Sequence, residues 1–201
     1  MNETPRIDPS VFLSPSAQIF GNVEIEPESS IWPNVVMRAE SHPIRIGRYT
    51  NIQDFVMIHI GYENSTEIGD FCSITHHATV HGCKIEDDCL IGINAVVMDG
   101  AEIGRGSIVA GAAMIREDAI FPPGAIIAGV PAKQIGERDC ARANRRNAWI
   151  YHLNAQSYRR GEHRAWTGEP YERWLEELDR KLETDADLVG LRPARANATK
   201  E

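Results

Sequence analysis

An apolar residue recurs every six positions along most of the chain up to Ile115, and this period constrains what the chain can fold into. Ile19, Ile25, Ile31 and Met37 are six apart, as are Ile46, Ile52 and Ile58, then Ile68, Ile74 and Val80. After one shorter interval the series resumes at Ile85, Ile91, Val97, Ile103, Val109 and Ile115. Neither a helix, with a period of 3.6, nor a strand, with a period of 2, generates this spacing. A short strand plus a turn, used three times per coil, does so, and about 18 residues then wrap once round a triangular solenoid. The repeated aliphatic points inward and stacks on its counterpart one coil away. Glycine and other small or polar residues are expected at the corners, where the backbone needs unusual dihedrals. Ile46-Gly47, Ile68-Gly69, Ile91-Gly92 and Ile103-Gly104 fit that expectation.

The lattice is expected to end near Ile115. Phe121-Pro122-Pro123-Gly124 reads as a turn, and Gly129-Val130-Pro131-Ala132-Lys133 leads the chain out of the coils. The division is therefore a β-solenoid domain over residues 1–136 and a C-terminal helical segment over 137–201 that packs on it. Trp149, Ile150, Leu153 and Tyr158 predict a helix from about 138 to 160. Gly161 and the turn Thr167-Gly168-Glu169-Pro170 interrupt it, and Tyr171, Trp174, Leu175, Leu178 and Leu182 predict a second, amphipathic helix. From Asp185 the tail is polar and is expected to fray.

The formal net charge of −8 argues against a nucleic-acid partner, because phosphate binding needs clustered Lys and Arg. No apolar run approaches the roughly 20 residues that span a bilayer, and Met1 to Pro15 shows no secretory pattern, so a cytoplasmic protein without membrane partners is the default expectation. Cys72, Cys83, Cys89 and Cys140 form no C-x-x-C pair and read as reduced, buried side chains.

Three of the seven histidines fall between Ile74 and Cys83. His59 follows Ile58 by one and His81 follows Val80 by one, so the lattice puts them at one corner of adjacent coils, about 4.7–4.9 Å apart. Two imidazoles so stacked can converge on one metal ion. His76 lies two past Ile74, one edge of the triangle away, and cannot easily reach that ion within its own subunit. In a threefold assembly it can face a neighbour's pair, so the lattice predicts an obligate trimer with a shared site. His77 competes with His76 as the third ligand, and His76 is favoured because sequence neighbours point in different directions. His42, His152 and His163 lack such register.

Asn51-Ile52-Gln53-Asp54 leading to His59, followed by His76 and His81-Gly82-Cys83, makes the sequence resemble the γ-class carbonic anhydrases. The resemblance runs from about residue 5 to 160 and includes Gly129 to Lys133 and the stretch from Trp149 to Tyr151. It implies an all-β solenoid of the left-handed parallel β-helix type with C-terminal α-helices, assembled as a homotrimer. It further implies three histidines, His59, His76 and His81, binding Zn²⁺ (or Fe²⁺ or Co²⁺) between subunits to hydrate carbon dioxide to bicarbonate. Gln53 then resembles the residue that orients the reacting water, and Arg38 and Asp54 the charged pair beside the site. Asn51 resembles a pocket-lining, substrate-contacting residue, and Tyr151 a tyrosine reaching toward the metal. There are departures: Arg38-Ala39-Glu40 replaces Arg-Gly-Asp, Thr75 replaces a glycine, Ser41 replaces a glutamate, and the acidic insertion is missing, with Glu63 a weak substitute. A metal-dependent hydrolase of thioesters or other small activated carbonyls, a hexapeptide-repeat acyltransferase and a non-catalytic scaffold remain open alternatives.

Overall fold

A computed structural model describes residues 4–188 of the chain. It is a parallel β-solenoid followed by two helices. One face is an eight-stranded sheet in which Phe12–Leu13, Ser30–Ile31, Asn51–Ile52, Ser73–Ile74, Leu90–Ile91, Ile108–Val109 and Ala125–Gly129 run parallel, one per coil, and Ala132–Glu137 closes the end antiparallel. The predicted aliphatics are register partners: Ile46 pairs with Ile68, Ile52 with Ile74, and Ile58 with Val80. Ile46, Ile52, Ile58, Ile74 and Val80 are all 0% exposed. Each such side chain contributes roughly 1.5–3 kcal/mol of burial, so the core is a set of three aliphatic columns.

Three details of the coil differ from the expectation. The other two faces form one eleven-stranded sheet, because Gln18–Ile25 and Val36–Ile46 run through a corner unbroken. Gly21 permits this, with φ at 82° and a would-be Cβ only 2.0 Å from the Ala39 carbonyl oxygen. The solenoid also continues past Ile115, since Phe121 and Ile127 extend the six-residue series through Ile120–Phe121 and Ala125–Gly129; an aromatic replaced the aliphatic at that step. Finally, the glycines after the inward aliphatics do not supply left-handed backbone. At Gly69 a Cβ would lie 2.7 Å from the Asp87 backbone nitrogen, and at Gly104 2.3 Å from the Pro123 nitrogen, so these glycines admit the adjacent coil. The left-handed corners are held by residues such as Asn34, Asp88, Asn94 and Ala112, small or polar as expected, and also by aromatics the expectation did not include, Tyr49, Phe55 and Phe71, and by His77. Strain of about 1–2 kcal/mol at such positions is offset by stacking: Tyr49 lies on Phe71 with centroids 5.2 Å apart, and Phe55 on His77 at 4.9 Å.

Helix α1 (Ala141–Arg159) lies against the eight-stranded face. Its buried stripe of Ala141, Asn144, Arg145, Ala148 and Ala155 recurs at helical spacing, and the small side chains allow close approach. Helix α2 (Glu169–Glu183) carries Pro170 in its first turn, Glu169 and Glu172 at its start and Lys181 at its end, which suits the helix dipole. Pro170 thus opens the helix, where the sequence reading put a turn. Trp149, Ile150 and Trp174 pack with Leu178, Leu182 and Leu188 between the helices, and Lys181 Nζ sits 3.5 Å above the Trp149 ring. No helix among the described residues is long and apolar enough to cross a membrane.

One buried ion cluster ties these parts together. Asp88, 0% exposed at a left-handed corner, accepts hydrogen bonds from Arg145 at 2.7 and 2.8 Å and from Arg105 at 3.0 and 2.8 Å. Burial opposes the Arg145 charge, but the Asp88 carboxylate, and then Asp185, outweigh it and push the guanidinium pKa up. Arg145 also reaches Asp185 at 3.0 Å, so the tail expected to fray from Asp185 is packed through the buried Leu188; the rest of that tail lies outside the described residues. Removing one partner of a buried pair costs about 3–5 kcal/mol. Arg145→Ala is therefore predicted to lower the urea-unfolding free energy by about that amount, and a loss below about 1 kcal/mol would show that the cluster does not secure α1.

Candidate metal centre

The strands Met57–His59 and Thr79–His81 end at one corner, and His59 and His81 are direct register partners. Their rings lie 5.0 Å apart, with His59 Nδ1 3.0 Å from His81 Nε2. Each outer nitrogen meets a carboxylate: His59 Nε2 is 3.0 Å from Glu40 Oε2, and His81 Nδ1 contacts Asp99 Oδ1. With both outer nitrogens donating, the inner pair present lone pairs to each other, and a proton or a cation between them removes that repulsion. Two imidazole nitrogens on a tetrahedral zinc stand about 3.3 Å apart. The donor set and its spacing therefore fit two ligands of a metal ion.

The sequence offers local reasons for this arrangement. The chain between Ile58 and Ile68 is four residues longer than one lattice step and leaves the coil as a turn around Gly61 to Asn64. Arg38 is the register partner of His59 on the other side, and its guanidinium pairs with Glu40 Oε1. Glu40, half exposed, thereby bridges Arg38 and His59. Desolvation is the largest single effect there, but a backbone hydrogen bond, His59 and Arg38 together outweigh it and hold the carboxyl below its usual range. Burial pushes the neighbouring Cys83 thiol up to about 12, so it stays protonated and is a poor ligand.

The remaining predicted residues gather at a different corner. His76 Nδ1 is 3.0 Å from Asp54 Oδ2, and its Nε2 has no hydrogen-bond partner among the described residues. His77 has φ at 60° and stacks on Phe55, turned away from that contact. Gln53, 1% exposed, donates to Asn51 Oδ1 at 2.8 Å. Asn51 donates in turn to the Cys72 carbonyl at 3.2 Å and to Ser73 Oγ at 2.9 Å, and Asn147 of α1 reaches the same hydroxyl at 2.9 Å. Asn51 is thus 1% exposed and committed to internal partners, a geometry that positions Gln53 more readily than it contacts substrate. Burial, reinforced by the Asp54 charge, pushes the Tyr151 phenol up to about 12, so it remains a neutral donor.

Within one chain, then, the predicted residues form two separate groups. Arg38, His59 and His81 share one corner with Glu40 and Asp99. Asn51, Gln53, Asp54, His76 and Tyr151 share another. Within one chain Arg38 pairs with Glu40 and Asp54 with His76, so the Arg38–Asp54 pair, expected to tie subunits together, would form between subunits. Among the described residues no three His, Cys, Asp or Glu side chains of the chain converge on one point. The sequence reading missed Asp99. Its signal was available in the lattice, because Val80 pairs with Val97 and the same step sets Asp99 level with Gly82, beside His81.

Comparisons with known proteins agree with the fold. Residues 82–117 match the family model described as bacterial transferase hexapeptide (six repeats). The mitochondrial gamma carbonic anhydrase 2 of Arabidopsis thaliana is 36% identical over 138 residues, 66% of this chain and 50% of that protein. The protein of Methanocaldococcus jannaschii described as "Probable carbonic anhydrase" is 40% identical over 131 residues, 65% of this chain and 82% of that protein. Among solved structures, a hexapeptide transferase family protein from Anaplasma phagocytophilum superposes with a TM-score of 0.74 at 30% identity, covering 78% of this chain and 93% of that one. The chain spans half the length of the Arabidopsis relatives it matches. Coil, register and terminal helices together define a hexapeptide-repeat β-helix protein, and the left-handed sense is that of this class. Within the class, the chain belongs to the γ-carbonic anhydrase-like family.

Asn51 supplies a direct check on this geometry. Asn51→Ala removes the acceptor of Gln53 Nε2, whereas Ser73 Oγ keeps Asn147 as a donor. One orphaned buried group costs about 1–3 kcal/mol, so a loss of about that size in denaturant unfolding is predicted, and a change under about 0.5 kcal/mol would mean that the polar chain does not hold Gln53.

Proposed function

We propose that the protein is a metal-dependent lyase that hydrates carbon dioxide to bicarbonate, at a site shared between the subunits of a homotrimer. The observation that carries this reading is the division of the site. One corner offers a converged histidine pair, and a second corner of the same chain offers His76 with its Nδ1 held and its Nε2 open. Closed threefold symmetry brings the second corner of each subunit against the first corner of the next. The face between the two corners suits burial against a neighbour: Val36, Met57, Val96 and Met114 are half-buried on it, and Phe20, Phe55 and Ile93, each about half exposed, flank it. The names of the relatives support the same activity, two of them being called carbonic anhydrases.

His59, His81 and a neighbour's His76 would hold the ion. When bound, zinc in a three-imidazole site lowers the pKa of a coordinated water to about 7 and so supplies a nucleophile at neutral pH. The chain's own residues do the rest. Gln53, fixed by Asn51, orients the reacting water through its amide. Tyr151, kept neutral by burial, presents a hydroxyl donor to the oxygen that gains charge as bicarbonate forms. Asp54 and Glu40 hold the ring protons of His76 and His59 away from the ligand nitrogens, fixing which nitrogen of each ring can coordinate. Carbon dioxide is small and uncharged, so the site needs no cationic anchor for the substrate.

Subunit mixing tests the shared site. His76→Ala and His81→Ala homotrimers are each predicted to lose stoichiometric zinc and to lower carbon dioxide hydration at least 100-fold, since each ligand is essential to the site. Co-expressed, they are predicted to regain both zinc and activity, because an intact pair on one subunit meets an intact His76 on the next. Absence of recovery in verified mixed trimers would contradict the reading.

A further inference from the structure

The turns after His59 and His81 each bear a glycine, Gly61 and Gly82, and both glycines face one carboxylate, that of Asp99. We propose that Asp99 is a positioning residue for His81, and that Gly61 and Gly82 form the slot that admits its side chain. The inference rests on the metal reading above and assigns a role to three residues outside the ligand set. Asp99 follows the strand Val96–Val97, and its Oδ1 contacts His81 Nδ1. That oxygen lies 2.3 Å from where a Cβ on Gly82 would be and 3.0 Å from one on Gly61. Any side chain at 82 would displace the carboxylate, and φ there, at 55°, also disfavours one.

The slot is fixed relative to both histidines. Gly82 N donates to the His59 carbonyl at 3.2 Å and to Thr66 Oγ1 at 2.9 Å, while Thr66 Oγ1 donates to the same His59 carbonyl at 2.5 Å. Gly100 N closes the stack on the Gly82 carbonyl at 2.8 Å. Among the described residues, Asp99 pairs with His81 and with no Lys or Arg, whereas Glu40 is shared between His59 and Arg38. A carboxylate on Nδ1 keeps the proton at that atom, holds the ring plane and leaves the Nε2 lone pair aimed at His59. Partners of this kind raise metal affinity about 10–100-fold.

The test uses the full chain and two readouts. In competition with a chromophoric chelator, Asp99→Ala is predicted to bind zinc about 10–100-fold more weakly than wild type, with circular dichroism and oligomeric state unchanged. Asp99→Asn keeps an acceptor without the charge and is predicted to lose less. In the metal-free protein, ¹⁵N-resolved NMR of the imidazoles is predicted to show the His81 proton on Nδ1 in wild type and in Asp99→Asn, and that preference lost in Asp99→Ala. Zinc affinity of Asp99→Ala within twofold of wild type, or a wild-type His81 proton on Nε2 alone, would overturn the role. Failure of the wild type to bind zinc would overturn the metal reading separately, and the NMR result would still decide what Asp99 does to His81.

Discussion

In-register stacking of each coil on the next is the constraint on which the rest of this structure depends. Ile46 over Ile68, Ile52 over Ile74 and Ile58 over Val80 leave no freedom to slide, because a shift of one residue would turn every inward aliphatic outward. The coil backbones approach so closely that residues such as Gly69 and Gly104 can carry no Cβ. Register is therefore fixed twice, by burial on the inside and by contact at the corners.

The chemistry inherits that rigidity. His59 faces His81 because Ile58 faces Val80, and no loop has to order itself to bring the pair together. The same register keeps His76 apart, since it belongs to a different corner of the triangle. A triangular coil can offer histidines at two corners, but it cannot make them converge within one chain. A site needing three imidazoles on such a scaffold has to be completed by another subunit. The ion cluster at Asp88 serves a different purpose: it fixes α1, and with it Tyr151 and Asn147, to the face whose edge bears Gln53 and Asp54.

Much of this was legible in the sequence, and the parts that were not share a physical reason. The aliphatic period announces itself because burial acts on every sixth residue alike. It carried the histidine register with it, as well as the helices seeded by Trp149 and by Leu178. Small or polar corners such as Asn34, Asp88 and Asn94 were legible, but the aromatic corners were not, because a left-handed dihedral is set by the backbone path and can be stabilised by stacking, as at Phe55 and His77, without glycine. The end of the coil was misread because Phe121 continues the series as an aromatic. Contacts such as Arg145 with Asp88 and His81 with Asp99 join residues of opposite charge or complementary hydrogen bonding, which follow no period. For Asp99 the lattice did hold the answer, since Val97 pairs with Val80 and this register sets Asp99 level with Gly82, next to His81.

The division of one site between two subunits is the central claim, and anomalous diffraction at the zinc edge from crystals of the metal-loaded protein tests it most directly. The account predicts one peak per subunit interface, bounded by Nδ1 of His59 and Nε2 of His81 from one chain and by Nε2 of His76 from its neighbour. A peak bounded by a single chain, or one elsewhere with the His59–His81 pair empty, would contradict it.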